Sequence, residues 1–243
     1  MPQVSNERGI LLRSVSIGGS KHRYAVYVPA GLDLSIPAPA IVFLHGRGEC
    51  GVDGLRQLAV GLQPAALWND EAWGRFIIIQ PQKPGYDDRW VQHEELVLAC
   101  LAAAEREWRI DRDRVYLTGL SQGGAGTWAI GANHPELFAA IAPVCGFVHS
   151  PGRGTNDGDE AERARIAESL AAARIPVWAF HGEKDDVVRP DQTRRLIGRL
   201  SSGGRSEDVR ATYYPDANHN SWDKAYRDDG AALANWFLSH RRR

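Results

Sequence analysis

The stretch TGLSQGGAGTW, residues 118–128, places one serine among four glycines directly after the β-branched and aromatic run RVYL. Residues 119–123 fit the pattern G-x-S-x-G, with Ser121 at its centre. This pattern marks a sharp strand-to-helix turn that lifts a serine hydroxyl to the top of a sheet, and its glycines let neighbouring backbone pass without a Cβ clash. The helix start behind Ser121 adds free N–H groups and a positive dipole end, which favour developing negative charge.

Short apolar runs alternate with segments of helical period along the rest of the chain, which indicates a mostly parallel sheet covered by helices on both faces. Residues 41–44 and 76–79 are apolar throughout, as expected for strands covered on both sides, whereas residues 23–28 alternate more, as expected near an edge. We predict eight strands, over residues 11–17, 23–28, 40–45, 75–80, 114–119, 139–145, 176–181 and 209–214.

Helices are predicted where apolar residues recur at helical spacing. Residues 122–133 form one such segment, and residues 149–161 form a long Gly-, Asp- and Pro-rich loop that leads into a helix near residues 160–173. A loop of that length is often functional, so we expect it to border the site. Two further core-facing helices are indicated by Val97, Leu101, Ala104 and Trp108 and by Leu233, Trp236, Phe237 and His240.

Length and composition favour a single α/β domain over residues 1–243, with a minimal cap or none. The chain has 243 residues, 43% of them hydrophobic, and contains neither an internal repeat nor a linker that would split it. Its 29 Lys and Arg against 30 Asp and Glu give a net charge of -1, so we expect no nucleic-acid or anionic-membrane partner. The basic run of residues 241–243 is predicted to be a solvated tail.

Targeting and redox signals predict a cytoplasmic protein. The first residues lack a secretory signal, and no later run is long enough to span a bilayer. Three cysteines, Cys50, Cys100 and Cys145, lie far apart, without the spacing of a zinc site or the density of a disulfide scaffold. We expect reduced thiols, no metal and no cofactor, although two of the cysteines could still meet in space.

A serine hydroxyl is a poor nucleophile until a base takes its proton, and the base needs an acid that fixes its tautomer. With an elbow of this kind the acid and then the base follow the serine, on loops after later strands. Asp185 lies in the polar turn after residues 176–181 and is preferred over Asp186 as the acid. His219 lies on a polar loop after the last predicted strand, whereas His240 falls in the terminal helical pattern, so His219 is the candidate base.

Acyl transfer also needs donors for the developing oxyanion. The backbone N–H after the serine, that of Gln122, is one candidate, and a loop after an earlier strand supplies the other. Residues 44–48, LHGRG, form such a loop, and we take the N–H of Arg47 as the second donor. His45 and His181 each precede a glycine at a strand end and are interpreted as structural.

The chain resembles the α/β-hydrolase superfamily, specifically the esterase branch that includes polyhydroxybutyrate-depolymerase-like, feruloyl-esterase-like and dienelactone-hydrolase-type proteins. The resemblance implies the same triad of Ser121, Asp185 and His219, with Arg47 and Gln122 at the oxyanion hole. Gln122 stands where methionine is frequent in this branch, and many relatives are secreted. The matching segments are residues 27–33, 42–49, 114–128, 134–146, 177–188 and 214–226.

These observations predict a serine carboxylesterase for small esters with a short acyl or an aryl group. Trp90 and Trp222 lie near the loops that should border the site and are candidates for an aromatic wall. A peptidase or aminopeptidase of the same fold is the nearest alternative, because the same triad cleaves amides. A binding protein that keeps the fold without the reaction is a second alternative, and Cys50 or Cys145 as nucleophile is a third, although neither occupies the elbow.

Overall fold

The computed structural model describes residues 5–149, 156–202 and 208–242. Within these ranges the strands are β1 (Gly9–Ile17), β2 (Ser20–Val28), β3 (Ala38–Leu44), β4 (Ile77–Pro81), β5 (Ile110–Leu120), β6 (Ala140–Val144), β7 (Val177–Gly182) and β8 (Val209–Tyr214). The α-helices are α1 (Leu62–Trp68), α2 (Asp70–Trp73), α3 (Glu94–Glu107), α4 (Gln122–Asn133), α5 (Glu160–Ala172), α6 (Asp191–Ser202) and α7 (Gly230–Leu238). Short 3-10 turns cover Arg56–Ala59 and Trp90–His93, and a π-helical turn covers Lys224–Asp228.

The strands form one sheet in the order β1-β2-β4-β3-β5-β6-β7-β8. β2 pairs antiparallel with both of its neighbours, and the pairings from β4 through β8 are parallel. The predicted mostly parallel, eight-stranded sheet is therefore confirmed, and each predicted strand overlaps an observed one.

The middle of each central strand is mostly apolar because both of its faces are covered. Val42 and Leu117 project into a core beneath α3 to α6, whereas Phe43 and Tyr116 project into a second core beneath α1, α2 and α7. Alternate residues of a strand point to opposite faces, so a strand between two helical layers favours apolar side chains on both of its faces. The prediction of helices on both faces is confirmed.

Two details differ from the sequence prediction. The strictly alternating exposure expected near an edge belongs to β1, which is the edge strand. Residues 24–28 of β2 are buried because side chains on both faces of this strand pack into the two cores. The described part of the C-terminal basic run is not a free tail. Arg241 pairs with Asp111 at 3.2 Å, and the backbone N–H of Arg242 donates to the Asp113 carbonyl at 2.8 Å, which holds the terminus against the start of β5.

Parallel strands place their carboxyl ends along one edge of the sheet, where ligands of such sheets bind. The predicted site loops all leave from this edge, because they follow β3, β5, β7 and β8. Of the predicted loop over residues 149–161, residues 150–155 lie outside the described residues, and α5 begins at Glu160. None of the described helices has the length and apolar character needed to cross a membrane.

Replacing Leu117, which is fully buried in β5, with alanine should lower the free energy of unfolding by about 3 kcal/mol, because a cavity opens in the core. Leu12→Ala is the matched control, since Leu12 is 46% exposed on the edge strand, and it should cost less than about 1 kcal/mol. Urea unfolding of the two variants measures the difference. Equal losses would contradict the two-core packing described above.

Candidate active site

Ser121 lies at a sharp turn between a strand and a helix, where neighbouring backbone segments pack closely against each other. It follows β5 and precedes α4, and its φ of 55° and ψ of -115° are unusual for a residue with a side chain. A Cβ on Gly119 would lie 2.6 Å from the carbonyl oxygens of both Leu44 and Gly123, and a Cβ on Gly123 would overlap the Leu44 oxygen. The glycines of the G-x-S-x-G pattern are therefore required because the carboxyl end of β3, which pairs with β5, packs directly against the turn.

The three residues selected from the sequence as nucleophile, base and acid lie in one hydrogen-bonded row. His219 Nε2 is 2.9 Å from Ser121 Oγ, and His219 Nδ1 is 2.8 Å from Asp185 Oδ2. A carboxylate only accepts, so Nδ1 carries the proton and Nε2 is left to accept from the serine hydroxyl. This is the tautomer in which an imidazole takes a proton from serine.

Asp185 is held from several sides. Its Oδ1 accepts the backbone N–H groups of Val187 at 3.0 Å and Val188 at 2.8 Å, and His181 Nε2 lies 3.2 Å from its Oδ2. Burial alone would raise the pKa of Asp185, but hydrogen bonds from His181, His219 and Val188 outweigh it and hold the pKa well below its ordinary value. The carboxylate is therefore ionised and fixed in orientation beside His219.

His181 was interpreted from the sequence as structural, and it is fully buried beneath Asp185. Its Nε2 faces two acceptors, the Val188 carbonyl at 2.8 Å and the Asp185 carboxylate, so this nitrogen carries the proton. Its Nδ1 lies 2.7 Å from Thr193 Oγ1 on α6. The arrangement connects the acid loop after β7 to the helix that follows it.

The residues of the two candidate oxyanion donors line the same cavity as Ser121. Gln122 is the first residue of α4, and Arg47 lies in the loop after β3. In the part of the chain that the structure describes, no hydrogen bond engages the backbone N–H of either residue. The Gln122 side chain donates to the Tyr86 carbonyl at 3.0 Å, and Arg47 pairs with Asp87 at 2.9 Å, so both side chains reach toward the loop after β4.

The loop after β4 packs against the loop that contains Arg47. The Lys83 side chain is fully buried, and its ammonium donates to the Gly85 carbonyl at 2.6 Å and lies 3.0 Å from the Cys50 sulfur. The Lys83 backbone N–H donates to His45 Nε2 at 3.1 Å. Burial, reinforced by the Lys83 charge, lowers the pKa of His45 to about 3, so this ring is neutral.

Glu49, in the same loop, contributes a carboxyl group to the wall near Ser121. Burial raises its pKa, against the opposing effect of hydrogen bonds from the backbone N–H groups of Gly46 and Glu49 itself. Nothing in the sequence pattern singled out Glu49 or Lys83. The one available signal for Lys83 was its position just after a strand, at the edge where site loops cluster.

The cysteines do not provide an alternative nucleophile at the surface of the site. Cys145 is fully buried behind Ser121, and burial raises its pKa well above the ordinary value. Cys50 is buried beside Lys83, and all three cysteines are free. Cys145, Asp185 and His219 place potential metal-ligating atoms within 4.8 Å of one another, but Asp185 and His219 already hydrogen-bond to each other and to Ser121 in this arrangement.

A cleft of about 550 Å³ opens above Ser121, and we call it the serine cleft. Trp222 lies on its wall and packs edge-on against the His219 ring, with centroids 5.5 Å apart. Trp90 has a different position. Its side chain is 1% exposed, its indole N–H donates to the His45 carbonyl at 2.9 Å, and it lines a separate pocket next to the serine cleft.

The fold and the elbow define the class: the chain is an α/β-hydrolase, as predicted. A family profile described as the prolyl oligopeptidase family matches residues 90–242, which is more than half of the chain. The protein belongs to that family.

Three relatives illustrate the similarity. The chain is 27% identical to NocK of Nocardia uniformis subsp. tsuyamanensis, over 72% of this chain and 48% of that protein. It is 24% identical to poly(3-hydroxyalkanoate) depolymerase C of Paucimonas lemoignei, over 72% of this chain and 47% of that one. The crystal structure of a thermostable esterase superposes with a TM-score of 0.76 at 28% identity, over 96% of this chain and 63% of that one. The chain thus spans about half the length of NocK and of the depolymerase. The predicted resemblance to the esterase branch is confirmed.

Gly123→Ala should lower the free energy of unfolding by about 3 kcal/mol or more, because the added Cβ overlaps the backbone of β3. Gly48→Ala is the matched control, since a Cβ there meets nothing within 4 Å, and it should change stability by less than about 0.5 kcal/mol. Thermal unfolding of both variants tests this. A Gly123→Ala protein as stable as the control would mean that the end of β3 does not pack against Gly123 as described.

The neutral, buried His45 predicts acid sensitivity. The native ring resists protonation down to about pH 3, whereas in the unfolded chain it takes up a proton below its ordinary pKa of about 6.5. The unfolded state therefore binds more protons, and stability falls as the pH drops from 6.5 toward 3, with a slope of up to about 1.4 kcal/mol per pH unit from this residue.

Urea unfolding between pH 6 and pH 4.5 measures that slope, in a range above the ordinary pKa of Asp185. His45→Gln should show a shallower slope than the wild type, by about 1 kcal/mol per pH unit. The comparison uses the slope and not the absolute stability, which the substitution also lowers. Parallel slopes would show that His45 is not buried and neutral.

Proposed function

We propose that this protein is a serine carboxylesterase in which Ser121 is the nucleophile, His219 is the general base and Asp185 orients the base. The observation that carries the proposal is the row of hydrogen bonds, 2.8 Å and 2.9 Å long, that ends on a serine at a strained strand-to-helix turn. The structural neighbour is described as a thermostable esterase, and one of the relatives is a poly(3-hydroxyalkanoate) depolymerase. Both descriptions support the same class of reaction.

The reaction follows from this geometry. His219 Nε2 takes the hydroxyl proton while Ser121 Oγ attacks the ester carbonyl carbon, and the N–H groups of Arg47 and Gln122 stabilise the oxyanion. The bond to the leaving oxygen then breaks, and His219 returns the proton to the departing alcohol. Water repeats the sequence on the acyl-enzyme: His219 takes a proton from water, the hydroxide adds to the carbonyl, and Ser121 leaves with the proton as the acid is released.

A small neutral or weakly charged ester fits the serine cleft better than a polyanion. The cleft of about 550 Å³ is lined by Trp222, Val187 and Val188 beside the reacting groups, which suits a short acyl or aryl group. The net charge of -1 supplies no field that would recruit a nucleic acid or an anionic membrane. A cytoplasmic location remains part of the proposal, and cell fractionation tests it.

A peptidase is the second candidate, because the family that the chain belongs to is described as an oligopeptidase family. The same three residues cleave an amide only if the departing amine is protonated and held, which an ester does not require to the same degree. A non-catalytic binding protein is the third candidate, since a fold by itself does not guarantee a reaction.

Purified protein should react with a fluorophosphonate at Ser121, located by mass spectrometry, and should hydrolyse 4-nitrophenyl acetate and butyrate. Ser121→Ala should abolish labelling, and His219→Gln should lower kcat by about 10⁴-fold or more, because the serine loses its base. Asp186→Asn is the control, since Asp186 lies beside Asp185 in sequence but outside the hydrogen-bonded row, and it should keep activity within about threefold.

Matched ester and anilide substrates with the same acyl group separate the candidates. A preference for the ester by several orders of magnitude agrees with the esterase, whereas comparable kcat/KM values for both would favour the peptidase. A folded protein with neither labelling nor turnover would leave the binding protein as the remaining candidate.

A further inference from the structure

A second pocket adjoins the serine cleft, and the proposed reaction leaves it unexplained. It encloses about 520 Å³ between the turn Trp90–His93, helix α4 and helix α5. Gln122, Phe147 and His149 line both cavities, so the second pocket opens beside the candidate nucleophile. A substrate anchored at Ser121 therefore has a path into it.

The body of this pocket is apolar. Ala125 and Ala129 face it from α4, one helical turn apart, and Trp90, Phe147 and Ile166 complete the wall. Gly126 brings α4 against Trp90, because a Cβ at this position would lie 2.5 Å from the Trp90 Cβ. Small residues on α4 thus leave room for an apolar chain or ring along the helix.

The rim of the pocket is charged, and most of its charges already have partners. Asp87 pairs with Arg47 at 2.9 Å, and Asp88 pairs with His93 at 3.0 Å. Glu162 pairs with Arg165 at 2.8 Å. Asp159 accepts the backbone N–H groups of residues 161 and 162 as the N-cap of α5.

Arg89 is the exception. It lines the pocket, and its backbone N–H is fixed by the Gln92 side chain at 2.7 Å. Among the described residues, no carboxylate lies within ion-pair distance of its guanidinium. Burial, together with the smaller effect of the Arg89 charge, lowers the pKa of His149, which lines both cavities. Arg89 is half-buried as a residue, and a guanidinium without a partner favours a carboxylate, which it binds through two parallel N–H groups.

Resting on the proposed esterase activity, we propose that the second pocket holds one arm of the substrate, an apolar chain or ring that ends in a carboxylate bound by Arg89. The protein is then an esterase for half-esters and related acids, with the ester at Ser121 and a remote carboxylate at Arg89. The apolar wall binds the body of this arm, and the unpaired guanidinium selects its charged end.

Two matched substrate series test this and identify the arm. In the acyl series, 4-nitrophenyl hexanoate is compared with the mono-4-nitrophenyl ester of hexanedioic acid. In the alcohol series, the butyrate ester of methyl 4-hydroxybenzoate is compared with the butyrate ester of 4-hydroxybenzoate. The readout is the ratio of kcat/KM for the charged ester to that for the neutral ester.

In one of the two series, Arg89→Gln should lower this ratio about tenfold, as expected for the loss of a charge-assisted hydrogen bond. Arg89→Lys should restore part of it, and added NaCl should reduce the wild-type ratio because the rim is open to solvent. Arg210→Gln is the matched control, since it removes an arginine that lies outside both cavities and packs over the Trp178 ring, 5.6 Å from the centroid, and it should keep the ratio within about twofold. Ala129→Phe should lower kcat/KM for both esters of the responding series by filling the pocket.

A ratio that Arg89→Gln leaves unchanged in both series would overturn the proposal, as would an equal fall in Arg210→Gln. Calorimetric titration of Ser121→Ala with hexanedioate, hexanoate and 4-hydroxybenzoate separates this result from a failure of the esterase proposal. Binding of a carboxylate ligand that depends on Arg89, in a protein whose wild type hydrolyses no ester, would retain the carboxylate site and reject the esterase. Turnover of neutral esters without any charge preference would retain the esterase and reject the carboxylate site.

Discussion

The carbonyl oxygen of Leu44 lies so close to the backbone of Gly123 that no side chain fits between them. This contact joins the end of β3 to the start of α4, and the loop that contains Arg47 begins at the next residue, His45. Because the packing is backbone against backbone, the position of Ser121 relative to the Arg47 loop does not depend on flexible side chains. The candidate nucleophile and both candidate oxyanion donors are thereby fixed as one unit.

Around that unit, the sheet gathers groups that are far apart in the chain. Asp185 and His219 arrive from the ends of β7 and β8, which lie on one side of β5, while the Arg47 and Lys83 loops arrive from β3 and β4 on the other. Parallel pairing aligns all these carboxyl ends at one edge. The site is thus a consequence of strand order, and each loop supplies one or two groups to it.

Beneath the reacting groups lies a layer of buried polar side chains with defined partners. His181 and the backbone of residues 187 and 188 hold Asp185 on one side, and His45 and Lys83 hold the Arg47 loop on the other. A buried polar group that lost its partner would be costly, so each of these contacts resists displacement. The same layer keeps His45 neutral and Asp185 ionised, which fixes the charge pattern around His219.

The sequence by itself determined the eight strands, the elbow and the chain order of the candidate acid and base. Those features are local: apolar runs covered on both faces, glycines beside Ser121, and polar turns directly after strands. Only the tertiary structure decided that His181 braces Asp185, that Lys83 lies under the Arg47 loop, that Arg241 docks on Asp111, and that a second pocket opens beside the serine. These contacts join segments from strands whose order in the sheet is not their order in the chain, so no periodicity or spacing along the sequence encodes them.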